Sequence, residues 1–249
     1  MELIGAGELI KKSWSLYWSN WTMLVSIALW SLIPVAASIL IAFIPESLWI
    51  AALFLSIAVG IGAVIIGLWV YVTLTRVIAK LYKEEKVNVK QVYQKAWDNI
   101  IPLLWVSILT GLAVFGGTLL LIIPGILFAV WFAFSSPINV LEGTRGSAAL
   151  SESKQLVAGK WWSILWRFLA TYVVYGILFY TVTILIMVAI GLATGSWEAL
   201  ASGAAADTVL WIENLATSLI NVIAMPLFSA VTVILYLELK KFKNVQKVS

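Results

Sequence analysis

The chain has 249 residues, of which 62% are hydrophobic and 11% charged, with a net charge of +4 and neither Cys nor His. A soluble domain carries about 25% charged and 45–50% apolar residues, so the mean hydropathy of +1.02 nearly excludes a soluble globular enzyme. The lack of His and Cys excludes imidazole bases, thiolate nucleophiles, disulfides and sulfur-ligated metal sites. We expect an integral membrane protein that holds no cofactor or metal.

Six apolar stretches are long enough, or nearly so, to cross a hydrocarbon core about 30 Å thick as α-helices. They cover residues 22–44, 48–75, 101–123, 126–141, 163–193 and 210–239. The fourth is the shortest, and it depends on a turn at Pro124 and Gly125 that reverses the chain after an uncharged span. Continuous apolar runs argue against a β-barrel. The sequence therefore predicts an all-α bundle with six transmembrane helices in a single polytopic domain, residues 1–249.

The basic residues indicate how these spans are oriented. All sixteen Lys and Arg fall within 11–12, 76–95, 145–167 and 240–247, while the connections 45–47, 124–125 and 194–209 contain none. Those connections do carry Glu46, Glu198 and Asp207. Under the positive-inside rule, this distribution gives six spans with both termini in the cytoplasm.

Each odd-numbered span follows a segment whose apolar residues recur every three or four positions, which is typical of an amphipathic helix. Val92 and Ala96 belong to the apolar face of the second segment, and Ser153 to that of the third. Asn88 is the expected N-cap of the second, and Gly159 the expected end of the third. Tryptophan next to lysine suits the lipid headgroup plane. The residues that we place at this interface are Trp14, Trp18, Trp21, Trp97, Trp161, Trp162, Lys11, Lys12, Lys95 and Lys160.

The order of a surface helix followed by two spans occurs three times, in segments 7–80, 88–141 and 147–240. All three segments enter the membrane from the same side, so a symmetry axis would lie along the membrane normal, as in parallel repeats. The alternative is that membrane proteins commonly place a segment containing Trp and Lys before a span.

Small residues on two spans predict close helix packing, because they allow backbones to approach each other. They are Ser56, Gly60, Ala63 and Gly67 on the second span, and Ala113 and Gly117 on the third. A transport path along the first of these stripes is the less favoured interpretation. Gly116, Gly117 and Pro226 are candidate helix bends.

Polar groups within spans are costly and are therefore candidate functional sites. We expect Arg167 to snorkel to the headgroups, Asn221 to bond to a neighbouring helix, and Glu213 to lie at the opposite interface. These groups do not form the buried chain of carboxylates that a proton relay needs. The basic segments would hold anionic headgroups, although setting the topology accounts for most of them. Their spread along a surface argues against nucleic-acid binding.

Residues 122–168 resemble the membrane domain of bacterial glycerophosphodiester phosphodiesterases and its stand-alone multipass relatives. The matching features are Pro124-Gly125, Pro137, Glu142-Gly143, Ala149-Leu150, Ser153, Gly159 and Trp161-Trp162. The resemblance implies a fold and a membrane location. In that family a separate soluble domain uses acidic residues, His and a metal, so we do not expect phosphodiesterase activity here. We expect Glu142 to cap the third surface helix or to pair with Arg145 or Arg167.

These observations favour a non-enzymatic membrane-organising or partner-binding accessory protein. Its partners would be membrane lipids, particularly anionic headgroups on the cytoplasmic side, and a membrane or cytoplasmic protein, but no nucleic acid. The alternative is a transporter or lipid-handling protein, which predicts a mid-membrane cavity lined by Asn221 or Arg167. A membrane enzyme acting on headgroups would need an interfacial cluster of acids or a nucleophile, for which Glu142 and Glu152 are too few.

Overall fold

The computed structural model describes residues 3–195 and 207–248, and these residues form a bundle of α-helices without strands. The helices are α1 (Ala6–Ser19), α2 (Trp21–Ala28), α3 (Leu32–Ile41), α4 (Trp49–Tyr82), α5 (Val89–Ala96), α6 (Ile100–Leu120), α7 (Ile122–Trp131), α8 (Ser135–Glu142), α9 (Gly146–Val157), α10 (Trp161–Thr194) and α11 (Asp207–Val248).

Six helical stretches are long and apolar enough to cross a membrane, which confirms the predicted all-α fold and the number of spans. They are Trp21–Ile41, Glu46–Tyr82, Val89–Leu120, Ile122–Glu142, Trp161–Ala193 and Asn214–Val245. The protein is therefore a multipass membrane protein. At 1.5 Å per residue, α4 and α11 are about 50 and 60 Å long, so both extend beyond a hydrocarbon core of about 30 Å.

The basic segments converge at one end of the bundle, which we call the basic end. Lys12 on α1 and Tyr82 at the end of α4 both donate hydrogen bonds to Glu238 on α11. Lys243, farther along α11, donates to the main-chain oxygen of Gln155 on α9. Two membrane spans separate each basic segment from the next along the chain, so all of the basic segments must lie on the same side of the membrane.

The well-packed core lies towards the basic end. Buried side chains on α4 are confined to the stretch from Trp69 to Ala79, which is the half nearer that end. At the opposite end, Phe43, Leu120 and Ile123 are 75–77% exposed. Apolar side chains of this type are stable in contact with lipid tails, so the opposite end does not need to bury them within the protein.

The fourth span differs from the prediction in two ways. The chain reverses at the extended residue Leu121, so Pro124 and Gly125 lie inside the first turn of α7 rather than forming the turn. A first turn tolerates proline because its N–H groups have no intrahelical acceptor. The span is also divided into two half-helices, α7 and α8, by a break at residues 132–134.

The three short helices each bury one stripe of side chains in the bundle. Helix α1 packs on α10 and α11 through Leu9, Ser13 and Tyr17. Helix α5 buries Val92 and Ala96. Helix α9 contacts α6, α7 and α8 and buries Ala149, Ser153 and Val157. These helices are therefore integral parts of the fold as well as surface elements.

Two predicted helix ends are confirmed. The Asn88 side chain accepts a hydrogen bond of 3.2 Å from the Gln91 N–H and so caps α5. Helix α9 ends at Val157, and Gly159 follows with a φ of +76°, a left-handed conformation that suits glycine. The order of one short helix followed by two spans occurs three times along the chain. That this order arose by duplication stays a prediction.

Small residues contribute to close packing in only one of the two predicted places. A Cβ on Gly117 would lie 2.7 Å from Phe128 Cδ2, and one on Gly125 would lie 2.2 Å from Thr118 Oγ1. Both glycines are therefore needed for the close approach of α6 and α7. A Cβ on Gly60 or Gly67 would meet nothing within 4 Å.

The second-span stripe is therefore not a tight packing seam, and that part of the prediction is wrong. Its residues Ser56, Gly60, Ala63 and Gly67 instead line a groove of about 460 Å³ between α3 and α4. Ala113, on the third span, is half-buried. Helix α6 continues through Gly116 and Gly117, and α11 continues through Pro226.

Candidate functional site

A cavity of about 1400 Å³ opens at the basic end between α4, α5, α8 and α11. Exposed residues such as Lys83, Lys95 and Asn244 line its mouth, and buried residues such as Val140 and Tyr236 line its floor. The wall includes seven basic side chains and three acidic ones, an excess of four positive charges. The basic residues are Lys12, Arg76, Lys80, Lys83, Lys95, Lys240 and Lys241, and the acidic residues are Glu85, Glu142 and Glu238.

Helical spacing brings these charges together. Arg76 and Lys80 are four residues apart and lie on one face of α4, and Lys83 follows three positions later at the end of the helix, on the same cavity. Lys240 and Lys241 come from α11, and the remaining lysines come from α1 and α5. The structure therefore gathers seven of the sixteen basic residues around one cavity, a cluster that the prediction of charges spread along the surface did not include.

Two of the three acids in the wall are already paired within the protein. Glu238 Oε1 accepts hydrogen bonds from Tyr82 and from Lys12, whose Nζ is 3.4 Å away. Glu142 Oε1 lies 2.5 Å from Lys240 Nζ. These pairs join α1, α4, α8 and α11, and they leave their carboxylates less able to repel an anion in the cavity.

Lys12 stays charged because of its own partners. Its Nζ lies 3.1 Å from Glu8 Oε1, one turn earlier on α1. The hydrogen bond to Glu8 raises the pKa of Lys12 above its usual value, and the charges and hydroxyl of Glu238 and Tyr82 act in the same direction. Burial raises the pKa of Tyr17 on the same helix. Neither group changes its charge near neutral pH.

Five cations of the cavity have no acidic oxygen within 4 Å among the described residues. They are Arg76, Lys80, Lys83, Lys95 and Lys241. The Tyr236 side chain is 1% exposed, and its hydroxyl has no hydrogen-bond partner within the described part of the chain. A buried hydroxyl without a partner is costly, so an acceptor brought in by a ligand would relieve this cost.

A chain of polar side chains holds Arg76 in place. Arg76 Nη2 donates to Asn99 Oδ1 at 2.6 Å, and Asn99 Nδ2 donates to the main-chain oxygen of Asn139 at 3.4 Å. Asn139 Nδ2 donates to the Thr144 oxygen at 2.8 Å, and Thr144 Oγ1 donates to Glu152 Oε2 at 3.1 Å. Because Asn99 Oδ1, the acceptor of the Arg76 guanidinium in this chain, is neutral, the bond holds Arg76 in place without neutralising its charge.

Helix α9 closes the break in the fourth span. The buried Ser153 hydroxyl donates to the Trp131 oxygen at 2.7 Å and accepts from the Phe134 N–H at 3.1 Å. Lys154 Nζ lies 4.5 Å from the centre of the Trp131 ring. The sequence placed Ser153 on the buried face of α9 but contained no sign of the broken helix that it caps.

The polar residues singled out in the sequence take different positions from those expected. Glu142 pairs with Lys240 rather than with Arg145 or Arg167, because α8 and α11 meet at the basic end. Arg145 is exposed at the start of α9. The Arg167 guanidinium donates to main-chain oxygens, including those of the N-terminal segment, and its position at the headgroups stays a prediction.

Those acceptors are the oxygens of Leu3, Ile4 and, one turn away on α10, Ser163. Asn221 is exposed on α11, so the predicted bond to a neighbouring helix is wrong. The side chain of Glu213 and residues 196–206, including Glu198, lie outside the described residues.

The predicted interface residues divide between the outer surface and the protein interior. Trp14, Trp18, Trp21, Trp97 and Trp162 are 39–76% exposed. Trp161 is half-buried and donates to the Leu127 oxygen at 3.3 Å. Lys11 is exposed, Lys160 lies 4.9 Å from the centre of the Phe242 ring, and Lys12 and Lys95 line the cavity.

Sequence reasoning missed Tyr82, Tyr236 and Glu238. The three-and-four spacing of Arg76, Lys80 and Lys83 could have revealed the charged face of α4. No local signal pairs that face with α11, because the two segments are more than 150 residues apart.

The fold and this site define a multipass membrane protein with a basic cavity at one end. Comparisons with protein-family models, curated proteins and solved structures give no match. The family resemblance of residues 122–168 therefore stays a prediction. Among the described residues, no group of three or more acidic side chains is arranged to hold a metal ion.

Proposed function

We propose that this protein is a non-enzymatic accessory protein of the bacterial cytoplasmic membrane that binds anionic partners at its basic end. The observation that carries the proposal is the cavity with seven basic side chains, five of which lack an acidic partner among the described residues. The positive-inside rule directs this end to the cytoplasm. There it would meet the anionic headgroups of the inner leaflet, each nearby Lys or Arg contributing about 1 kcal/mol.

The proposal is tested by the lipids that accompany the protein. The full chain is purified in a mild uncharged detergent, and its bound phospholipids are compared with those of the same solubilised membrane. We expect anionic phospholipids to be enriched over zwitterionic ones, and the enrichment to fall as salt is raised, because exposed charges are screened. A bound-lipid composition equal to that of the membrane would refute the proposal.

A transporter or lipid-handling protein is the second candidate, and the divided fourth span is the observation that favours it. Broken helices form substrate sites in many transporters. Against this, Ser153 fills the break here, and neither described cavity is lined by Asn221 or Arg167. Uptake of a solute into liposomes that contain only the purified protein would favour this candidate over the accessory role.

A further inference from the structure

The cavity combines a high local charge with a partly apolar wall. Of its five cations without an acidic partner, Arg76 and Lys80 come from α4, Lys95 from α5 and Lys241 from α11, while Lys83 directly follows α4. The same cavity is also lined by apolar side chains, namely Ala79, Val92, Val140, Leu141 and Leu237. A ligand that satisfies both features has a multiply charged anionic group joined to an apolar or neutral part.

We propose that this cavity is a specific binding site for a phosphomonoester group, carried by an anionic membrane lipid with a small headgroup. The proposal rests on the function proposed above and adds a defined site and ligand class to it. A phosphomonoester carries between one and two negative charges at neutral pH and offers three acceptor oxygens. A phosphodiester lipid such as phosphatidylglycerol carries one charge, so it would engage fewer of these cations.

Arg76 is the residue best suited to orient the phosphate. Its planar guanidinium presents donors in a fork that matches two phosphate oxygens. The bond to Asn99 Oδ1 uses Nη2 and fixes the side chain, while Lys80, one turn towards the mouth, supplies a second charge. Arg76 lies about 9 Å deeper along α4 than Tyr82, at 1.5 Å per residue. A phosphate here would lie below the protein surface, near the depth of the headgroups.

Tyr236 provides a second, independent indication of a ligand. It lines the floor of the cavity, it is 1% exposed, and its hydroxyl has no partner among the described residues. Tyr236 lines the same cavity as the cations, and its hydroxyl is an uncharged donor that a phosphate oxygen could satisfy. A purely structural tyrosine at this position would gain nothing from its hydroxyl, and phenylalanine would serve equally well.

The test compares two doubly neutralised variants of the full chain. Lys80→Gln with Lys95→Gln removes two charges from the cavity wall. Lys11→Gln with Lys90→Gln removes two exposed charges from the same end that are not part of the wall. Lys90 lies on the same helix as Lys95, so a comparison of the two variants separates the effect of a charge's position from the effect of net charge.

Binding is measured in detergent by native mass spectrometry with short-chain phosphatidic acid, short-chain phosphatidylglycerol and glycerol 3-phosphate. We expect saturable binding of one phosphatidic acid per chain, weakened about tenfold or more in the cavity variant and less than about twofold in the control. If phosphatidic acid competes for the cavity more strongly than glycerol 3-phosphate does, the phosphate group of the ligand belongs to a lipid. If the two compete equally, the phosphate site is supported but its ligand is a soluble molecule.

Tyr236→Phe supplies a second readout that does not depend on charge. We expect it to weaken phosphatidic acid binding several-fold while leaving the melting temperature of the ligand-free protein unchanged or raised, because a costly unpaired hydroxyl is removed. The proposed site would be overturned if the two lysine variants lost phosphatidic acid affinity equally, or if phosphatidylglycerol bound as tightly as phosphatidic acid. If anionic lipids were nevertheless enriched in the purified protein, the proposed function would stand without this specific site.

Discussion

Replacing Ser153 with alanine tests whether the side chain from α9 holds the divided fourth span together. The hydroxyl is fully buried, and it serves two main-chain groups that the helices cannot satisfy themselves, the Trp131 oxygen at 2.7 Å and the Phe134 N–H at 3.1 Å. The substitution removes one oxygen and leaves both groups without this partner. It creates little empty space, so the lost hydrogen bonds are the main effect.

The expected cost follows from these two groups. A buried donor or acceptor left unsatisfied costs about 1–3 kcal/mol, so we expect Ser153→Ala, which leaves two such groups, to lower the free energy of unfolding by about 2–6 kcal/mol. For a chain of this size, each kcal/mol corresponds to about 2–4 °C. The melting temperature should therefore fall by about 4–24 °C.

The measurement is thermal unfolding of the purified protein in one detergent, followed by tryptophan fluorescence. Ser151→Ala is the matched control, because Ser151 lies on the same helix and is exposed. Both variants gain the same helix propensity from alanine, so their difference isolates the buried hydroxyl. If Ser153→Ala melted within about 2 °C of Ser151→Ala, the reasoning about the break would be refuted.

Two further predictions concern the hairpin and the paired charges. Gly125→Ala should destabilise the protein by about 1–3 kcal/mol through overpacking, because the new Cβ would lie 3.0 Å from Thr118 Cα. Gly111→Ala is the control, because a Cβ there would have no atom within 4 Å. Equal melting temperatures of the two variants would contradict this prediction. Because the folded-state pKa of Lys12 is raised, its stabilising contribution is fully present below the ordinary lysine value of 10.5 and is lost only as the pH rises through the higher folded-state pKa. The difference in stability between wild type and Lys12→Met should therefore stay constant from pH 7 to about 9 and shrink only in stronger alkali, and loss of the difference near neutral pH would count against the pairing.

The site was predictable in parts. Basic residues at one end, a capped α5 and a buried Ser153 follow from local patterns, because helix periodicity and the charges next to spans are properties of neighbouring residues. The pairing of Glu142 with Lys240 and of Glu238 with Tyr82 was not predictable, since each joins helices that are far apart in the chain. The same reason explains why the hydrogen bonds of Arg167 to the N-terminal segment were not predicted.

The sequence alone determined that the chain forms six apolar helices with every Lys and Arg at one end, because crossing a membrane requires long uncharged stretches whatever the packing. It did not determine where those helices break, or which charges face each other. The division of the fourth span between α7 and α8, and the convergence of α4, α5 and α11 on one cavity, depend on contacts between distant segments. Lipid offers no hydrophobic force to select such contacts, so they are decided by close packing and polar pairs in the tertiary structure.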